Sequence, residues 1–287
     1  MNMRAVLCAS LLALTVGSSG QAGQLATPIT IDENSMVEWG FQGGATLYQY
    51  GDFSFSAARA AENALELRIL KNGLLFSQEI FETSYGAGIG IYAMALGAPV
   101  LVIATYSGGA HCCTDFNLLP LASPPVWMSA GGFEGDVFEL DDVDGDGVFE
   151  IARPDPRFGH AEGAMAEMWA PPLILGMRDG RLSDVTPDPR YRNHLLEAAI
   201  TIADDCGGDG GWHRQACVAW GAIAYRLGTL DEVLPQISAR MEAAPADAGL
   251  AGAEIDTIEN EINETIRALQ LTGPGAPAPP SPLQTDR

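Results

Sequence analysis

The chain is nearly devoid of lysine. Lys71 is the single one in 287 residues, and Lys plus Arg number 15 against 37 Asp plus Glu. A formal net charge of −22 creates a field that repels phosphate backbones and anionic membrane surfaces. Nucleic-acid binding is excluded on that ground, and no basic patch offsets the field. Solubility in a salty medium accounts for most of the acidity.

Long apolar runs are scarce too. One twelve-residue stretch, Ala5 to Val16, follows Arg4 and precedes the small-residue run Gly17-Ser18-Ser19-Gly20-Gln21-Ala22. A membrane span needs about 20 apolar residues, so this pattern reads as a secretory signal over residues 1–22, cut after Ala22. A retained anchor and a buried helix are the competing readings. Cys8 falls inside the apolar stretch rather than after it, which argues against a lipoprotein. No later segment is apolar enough to cross a bilayer, so no stable membrane insertion is expected after cleavage. The expected location is periplasmic or secreted, and loss of Arg4 takes the mature charge from −22 to −23.

Histidine is limited to four residues, and His160, His194 and His213 are scattered without metal spacing. A histidine–zinc enzyme is therefore poorly supported. Ser107 lacks the strand–turn–helix setting of a hydrolase nucleophile, because glycines and then vicinal cysteines follow it. The segment Ser107-Gly108-Gly109-Ala110-His111-Cys112-Cys113 still follows an apolar strand, as binding loops often do. His111 could act there as a base near Asp115, while the plainer reading is a tight turn.

With Cys8 removed, four cysteines remain: Cys112, Cys113, Cys206 and Cys217. An even number in an exported chain favours disulfides. Cys206 and Cys217 flank the bendable stretch Gly207-Gly208-Asp209-Gly210-Gly211, so a local bridge is the simplest of three pairings. Alternatives are cross-links from that pair to Cys112 and Cys113, or a structural zinc site completed by His111 or His213.

The fold class expected is α+β, with a β-rich region over residues 23–185 and a helical region over 186–272. Leu65, Leu67 and Ile69 alternate with Glu66 and Arg68, the period of a half-buried strand. Asn72-Gly73 supplies a tight hairpin turn, and Leu74 to Phe81 returns beside the first strand. Further strands are expected over Gly88 to Ala95, Val100 to Tyr106, Asp115 to Leu121 and Val126 to Met128. Ala57 to Ala64 fits either a short helix or an edge turn.

From Asp188 the period becomes helical. Asp188-Pro189 marks a helix start running to about Ile202. A second helix is expected from Trp212 to Leu227, with Cys217, Trp220, Ile223, Ala224 and Leu227 facing inward and Gly228 ending it. Thr229 and Glu232 form a candidate capping box for a third helix carrying Leu230, Val233, Leu234, Ile237 and Met241. Ile255, Ile258, Ile262, Ile266 and Leu269 line a fourth. Residues 273–287, rich in proline and alanine, read as a disordered tail.

The strongest chemical signal is Asp142-Val143-Asp144-Gly145-Asp146-Gly147-Val148-Phe149-Glu150. Ca²⁺ takes six to eight hard oxygen ligands at about 2.3–2.6 Å. Asp142, Asp144 and Asp146 converge if the chain curls, the carbonyl of Val148 adds a ligand, and Glu150 closes the shell. Without a cation these carboxylates repel one another.

Together with Gly131-Gly132-Phe133 upstream and Ile151 downstream, this stretch resembles the calcium loop of FG-GAP and VCBS modules. Such modules occur in integrin-type propellers and in many bacterial exported proteins. The resemblance implies that the loop joins two strands and that Ca²⁺ staples them through Asp142, Asp144, Asp146, Val148 and Glu150. It covers about 20 residues, departs from the usual closing Asp by having Glu150, and has no second clear copy, so a whole propeller is not expected. An EF-hand or dockerin loop would place its closing ligand on Arg153, which cannot serve.

Two functions follow. One is an exported, calcium-stabilised, non-catalytic binding or scaffolding protein for an unidentified protein or glycan. The other is a secreted hydrolase centred on His111 and Asp115. Trp127, Trp169 and Trp212 are candidates for lining a carbohydrate groove, although single tryptophans usually anchor cores.

Overall fold

The computed structural model describes residues 27–40, 44–94, 98–106, 112–134, 139–158, 169–208, 211–243, 255–268, 270–271 and 273. The expected signal, the segment from Ser107 to His111, His160, Leu269 and the tail beyond Gly273 lie outside the described residues. Within them the chain is α+β, with strands in three sheets followed by helices.

Strands β1 (Ile29–Thr30), β2 (Ser35–Trp39), β3 (Thr46–Tyr50), β4 (Phe53–Ala61), β5 (Ala64–Lys71) and β6 (Leu74–Glu82) come first. They are followed by β7 (Ala87–Tyr92), β8 (Val100–Tyr106), β9 (Cys112–Pro120) and β10 (Met128–Glu134). The first sheet has the order β1-β3-β4-β5-β6, and the second β10-β9-β8-β7-β2. A third sheet orders β11 (Glu139–Asp141), β12 (Glu150–Pro154), β13 (Pro172–Arg178) and β14 (Arg181–Asp184) as an antiparallel meander.

Side-chain alternation decides how these sheets stack. Leu65, Leu67 and Ile69 of β5 are fully buried and meet Leu101 and Ile103 of β8 in one core. Val100 and Val102 point to the opposite face of the second sheet, where they pack with Ile151, Leu173 and Leu175 of the third. The second sheet is thus covered on both faces, which explains why Val100-Leu101-Val102-Ile103 is apolar without a break. Asn72 and Gly73 take φ of 51° and 78° between β5 and β6, as their sequence required.

Several boundaries differ from expectation. Ala57 to Ala64 is neither helix nor edge turn. Ala57 pairs with Leu67 and Ala61 with Ala64, so it forms the end of one strand, a two-residue turn and the start of the next. Its alanines are too small to signal an inward face. β7 stops at Tyr92, and the last sandwich strand begins at Met128, leaving Val126 exposed in the preceding segment.

The helical region contains α1 (Arg192–Asp205), α2 (Arg214–Leu227), α3 (Leu230–Glu242) and α4 (Ile255–Ala268). Asp188 caps a 3-10 turn, Pro189–Tyr191, that leads into α1. Cys206 and Cys217 are bridged, which overturns cross-links from them to Cys112 or Cys113 and a zinc site using both pairs. The short ribbon β15 (Cys206–Gly208) and β16 (Gly211–Trp212) takes Trp212 out of α2, so that helix starts two residues late. Gly228 ends α2 at φ 74°. Thr229 forms no side-chain cap, its hydroxyl turning back to the Ala224 carbonyl, so the expected capping box is absent.

Helix α2 is buried nearly all round rather than along one stripe. Ala216, Ala219, Gly221 and Ala222 let its neighbours approach closely, and a Cβ on Gly221 would lie 2.7 Å from Ile262 Cδ1 of α4. Helices and third sheet are joined by ions. Arg226 of α2 and Asp155, each with a side chain at most 1% exposed, pair at 3.2 Å. Arg226 also donates to the Pro172 carbonyl at 2.6 Å, and Arg157 links Asp155 at 2.6 Å to Asp184 at 3.1 Å.

Removing one partner of such a pair leaves the other charge buried and uncompensated. Asp155→Ala is expected to lower unfolding stability by about 3 kcal/mol or more, read by denaturant titration. Surface pairs such as Arg68 with Glu66 contribute at most about 1 kcal/mol, so Arg68→Ala is the matched comparison.

Candidate metal centre

The acidic stretch forms the connection between β11 and β12. Gly145 and Gly147 adopt φ of 77° and 85°, where a side chain would be strained, and they turn the chain back on itself. The turn is held by its own carboxylates. Asp142 Oδ2 accepts from the Gly147 N–H at 2.9 Å, Asp144 Oδ1 from the Asp146 N–H at 3.1 Å, and Asp146 Oδ1 from the Val148 N–H at 2.8 Å. The Phe149 N–H reaches the Ala93 carbonyl at 2.9 Å, tying the loop to the end of β7.

Each aspartate therefore commits one oxygen to the backbone and keeps the other. Asp142 Oδ1 and Asp144 Oδ2 are buried and accept no hydrogen bond. Asp146 Oδ2 accepts from Arg190 Nη1 at 2.8 Å, and the same nitrogen lies 2.9 Å from Asp144 Oδ2 as an ion contact outside hydrogen-bonding geometry. Ligand atoms of Asp142, Asp144 and Asp146 all lie within 4.8 Å of one another, so this cluster could hold a metal ion. Oxygens at about 2.3–2.6 Å on opposite sides of one ion would be separated by about 5 Å, so the spacing fits.

Glu150 stands apart from that trio. It is 3% exposed, and its carboxylate accepts from the Val143 N–H at 3.2 Å and from the Tyr191 hydroxyl at 3.0 Å. Burial pushes its pKa up to about 7 against the hydrogen bonds from Tyr191 and Val143, and the charges of Asp144 and Asp146 push the same way as burial. Val148 contributes its N–H to the turn.

Two residues that the motif did not announce complete the surroundings. Arg190 and Tyr191 leave the 3-10 turn before α1 and reach the loop from more than forty positions away. Asp188 grips Arg190 through its side chain, and Arg178 also reaches Asp188, at 2.9 Å. Burial opposes ionisation of Asp188, but the hydrogen bonds from Arg190 outweigh it and hold the carboxyl below its ordinary pKa. The Asp-Pro-Arg-Tyr sequence signalled a helix start and gave no hint of this contact.

Among the described residues the candidate tryptophans Trp127 and Trp169 belong to different cores. Asp115 lies within β9 opposite Thr105 and Gly132, and its proposed partner His111 is outside the described residues. Trp127 packs edge-on against Phe81 in the sandwich core and donates to Ser77 Oγ at 3.0 Å. Trp169 instead stacks on His213 at 4.0 Å, donates to Asp205 at 2.8 Å and packs on the helical core. His194 is half-buried in α1.

No family model matches the chain, and no solved structure matches it. A probable thylakoid lumen protein from Synechocystis sp. is 30% identical over 110 residues, 37% of this chain and 32% of that protein. An uncharacterised protein from Sinorhizobium fredii is 25% identical over 170 residues, 54% of this chain and 27% of that protein. The matches thus span about a third or less of each relative's length.

The raised pKa of Glu150 has a defined consequence for the metal-free protein. The folded state holds this proton between the ordinary value of 4.5 and about 7, and the unfolded state does not. Its contribution to stability is therefore complete below 4.5 and is lost as pH rises through about 7. Glu150→Gln keeps both contacts if Tyr191 reverses its hydroxyl and accepts. In chelator, the stability difference between variant and native protein is expected to grow in the variant's favour from pH 4.5 to 7 and then level off. A difference independent of pH would refute this.

Proposed function

We propose that this chain is an exported, non-catalytic binding or scaffolding protein that holds Ca²⁺ in the loop from Asp142 to Glu150. The observation carrying the proposal is the set of three converging carboxylates in which Asp142 Oδ1 is buried without a hydrogen bond and Asp144 Oδ2, also buried, is met only by the Arg190 ion contact. Buried anionic oxygens are costly unless a cation or donor meets them. An all-oxygen donor set favours a hard cation, and a flexible glycine-bearing loop suits Ca²⁺ better than the rigid octahedron that Mg²⁺ demands.

Asp142, Asp144 and Asp146 hold the ion in this reading, with the Val148 carbonyl as a further ligand and Glu150 closing the shell once its carboxylate turns from Tyr191 toward the trio. The motif's resemblance to FG-GAP and VCBS loops supports the same assignment, and the loop's place between two antiparallel strands agrees with it. The ion supplies charge neutralisation and crosslinks the loop. Tyr191 and Arg190 carry that order on to the start of α1. The ligand this scaffold presents to is a protein or a glycan, and the acidic surface argues against nucleic acid.

Export is supported by the N-terminal sequence and by the Synechocystis relative, whose name places that protein in the thylakoid lumen. Among the described residues no helix is long and apolar enough to cross a membrane. Free calcium outside cells reaches millimolar levels, so a Kd of about 10⁻⁴–10⁻³ M suffices. N-terminal sequencing of exported protein should find a start at Gly23 or within two residues of it. A product still beginning at Met1 would contradict cleavage of the signal.

Calcium at ten times Kd is expected to add about 1.4 kcal/mol to stability. Thermal unfolding should then shift upward by about 3–5 °C relative to chelator. Asp144→Asn, which retains one oxygen, should shrink that shift without abolishing the fold. An unchanged native midpoint, together with no heat of binding on direct titration, would reduce the loop to a solvated turn.

A further inference from the structure

We propose that Arg190 is a built-in competitor for the loop's metal ion, neutralising the carboxylates when the metal is absent and releasing them when it binds. The proposal rests on the metal-binding reading above and adds a regulation of that site. A single guanidinium nitrogen, Nη1, lies 2.8 Å from Asp146 Oδ2 and 2.9 Å from Asp144 Oδ2. These are the oxygens left over after each aspartate has bonded the backbone. The Asp144 side chain is only 3% exposed, and its Oδ2 has the ion contact but no hydrogen bond. A divalent ion drawn to the same oxygens meets a positive charge already in place.

Arg190 is suited to leave. Its side chain is 40% exposed, and its Nε and Nη2 are held by Asp188, which is not one of the converging trio. It can release Asp144 and Asp146 while keeping Asp188, at little desolvation cost. Because Arg190 sits in the turn that opens α1, metal binding at the loop is coupled to the helical region's first contact with it. Loss of this arginine should therefore act with opposite signs on the two states. The metal-free fold loses a cation it uses, and the metal gains oxygens without a rival.

The experiment is direct Ca²⁺ titration and thermal unfolding in chelator for the full chain, Arg190→Gln, Arg190→Lys and Arg68→Gln. Arg190→Gln is expected to bind Ca²⁺ on the order of tenfold more tightly while melting at a lower temperature in chelator. Arg190→Lys, which keeps the charge, should stay close to native affinity. Arg68→Gln, which removes one positive charge from β5, measures the general effect of net charge and should change affinity far less. Equal or weaker binding by Arg190→Gln, with the native chain still binding, overturns the competition and leaves the metal site standing. No binding by any of the four overturns the metal reading and this proposal with it.

Discussion

Asp155 and Arg226 meet where neither side chain touches water, and the junction between sheets and helices is built around them. The chain has few cations available, with Lys and Arg at 15 against 37 carboxylates. Several of those few are placed along this junction. Arg157 extends the pair to Asp184 at the end of β14, and Arg226 also satisfies the Pro172 carbonyl at the start of β13. Burial lowers the pKa of Arg226, but the charge of Asp155 works against that loss. A pair so enclosed is weak evidence for net stability, since apolar residues of equal volume often do as well. It also bears on register, because docking α2 elsewhere on the third sheet would leave the buried charges unpaired.

The acidic loop enters β12 at Glu150, the end opposite Asp155, and there too charge shapes the chain. Its aspartates use their first oxygens to build the turn, so the geometry that gathers negative charge is also what sets the backbone. Tyr191 is fully buried and bonds Glu150, while Val143 of the loop packs with Ala152, Ile174 and Val185 beneath it. Order in the loop and order at the start of α1 are therefore parts of one local structure. A cation at the trio would strengthen that unit by removing the repulsion among its carboxylates.

Much of this was legible in the sequence, and the reasons for the rest are specific. The alternation of Leu65, Leu67 and Ile69 identified β5, and Asn72-Gly73 fixed its hairpin. Val100 to Ile103 read as a strand, but a run of apolar residues cannot say that its two faces serve two different cores. The stripe on α2 was visible through Trp220, Ile223 and Leu227. Its other faces were not, because alanine and glycine carry little hydrophobic signal even when fully buried. The trio Asp142, Asp144 and Asp146 was recognisable because its members are close in sequence. Arg190, Tyr191 and Arg226 were invisible as partners because their contacts span 41 to 71 positions.

The double coverage of the second sheet also bears on how the molecule comes apart. Leu101 and Ile103 face one neighbour while Val100 and Val102 face the other, and all four lie in one strand. Peeling away the first sheet would wet one side of β8 while the other stayed packed. Such a half-stripped wall keeps its ordering cost and loses a large share of its burial, so partly opened forms are disfavoured at both interfaces. The three sheets should therefore melt as one calorimetric unit, with the enthalpy of unfolding taken up in a single step rather than layer by layer.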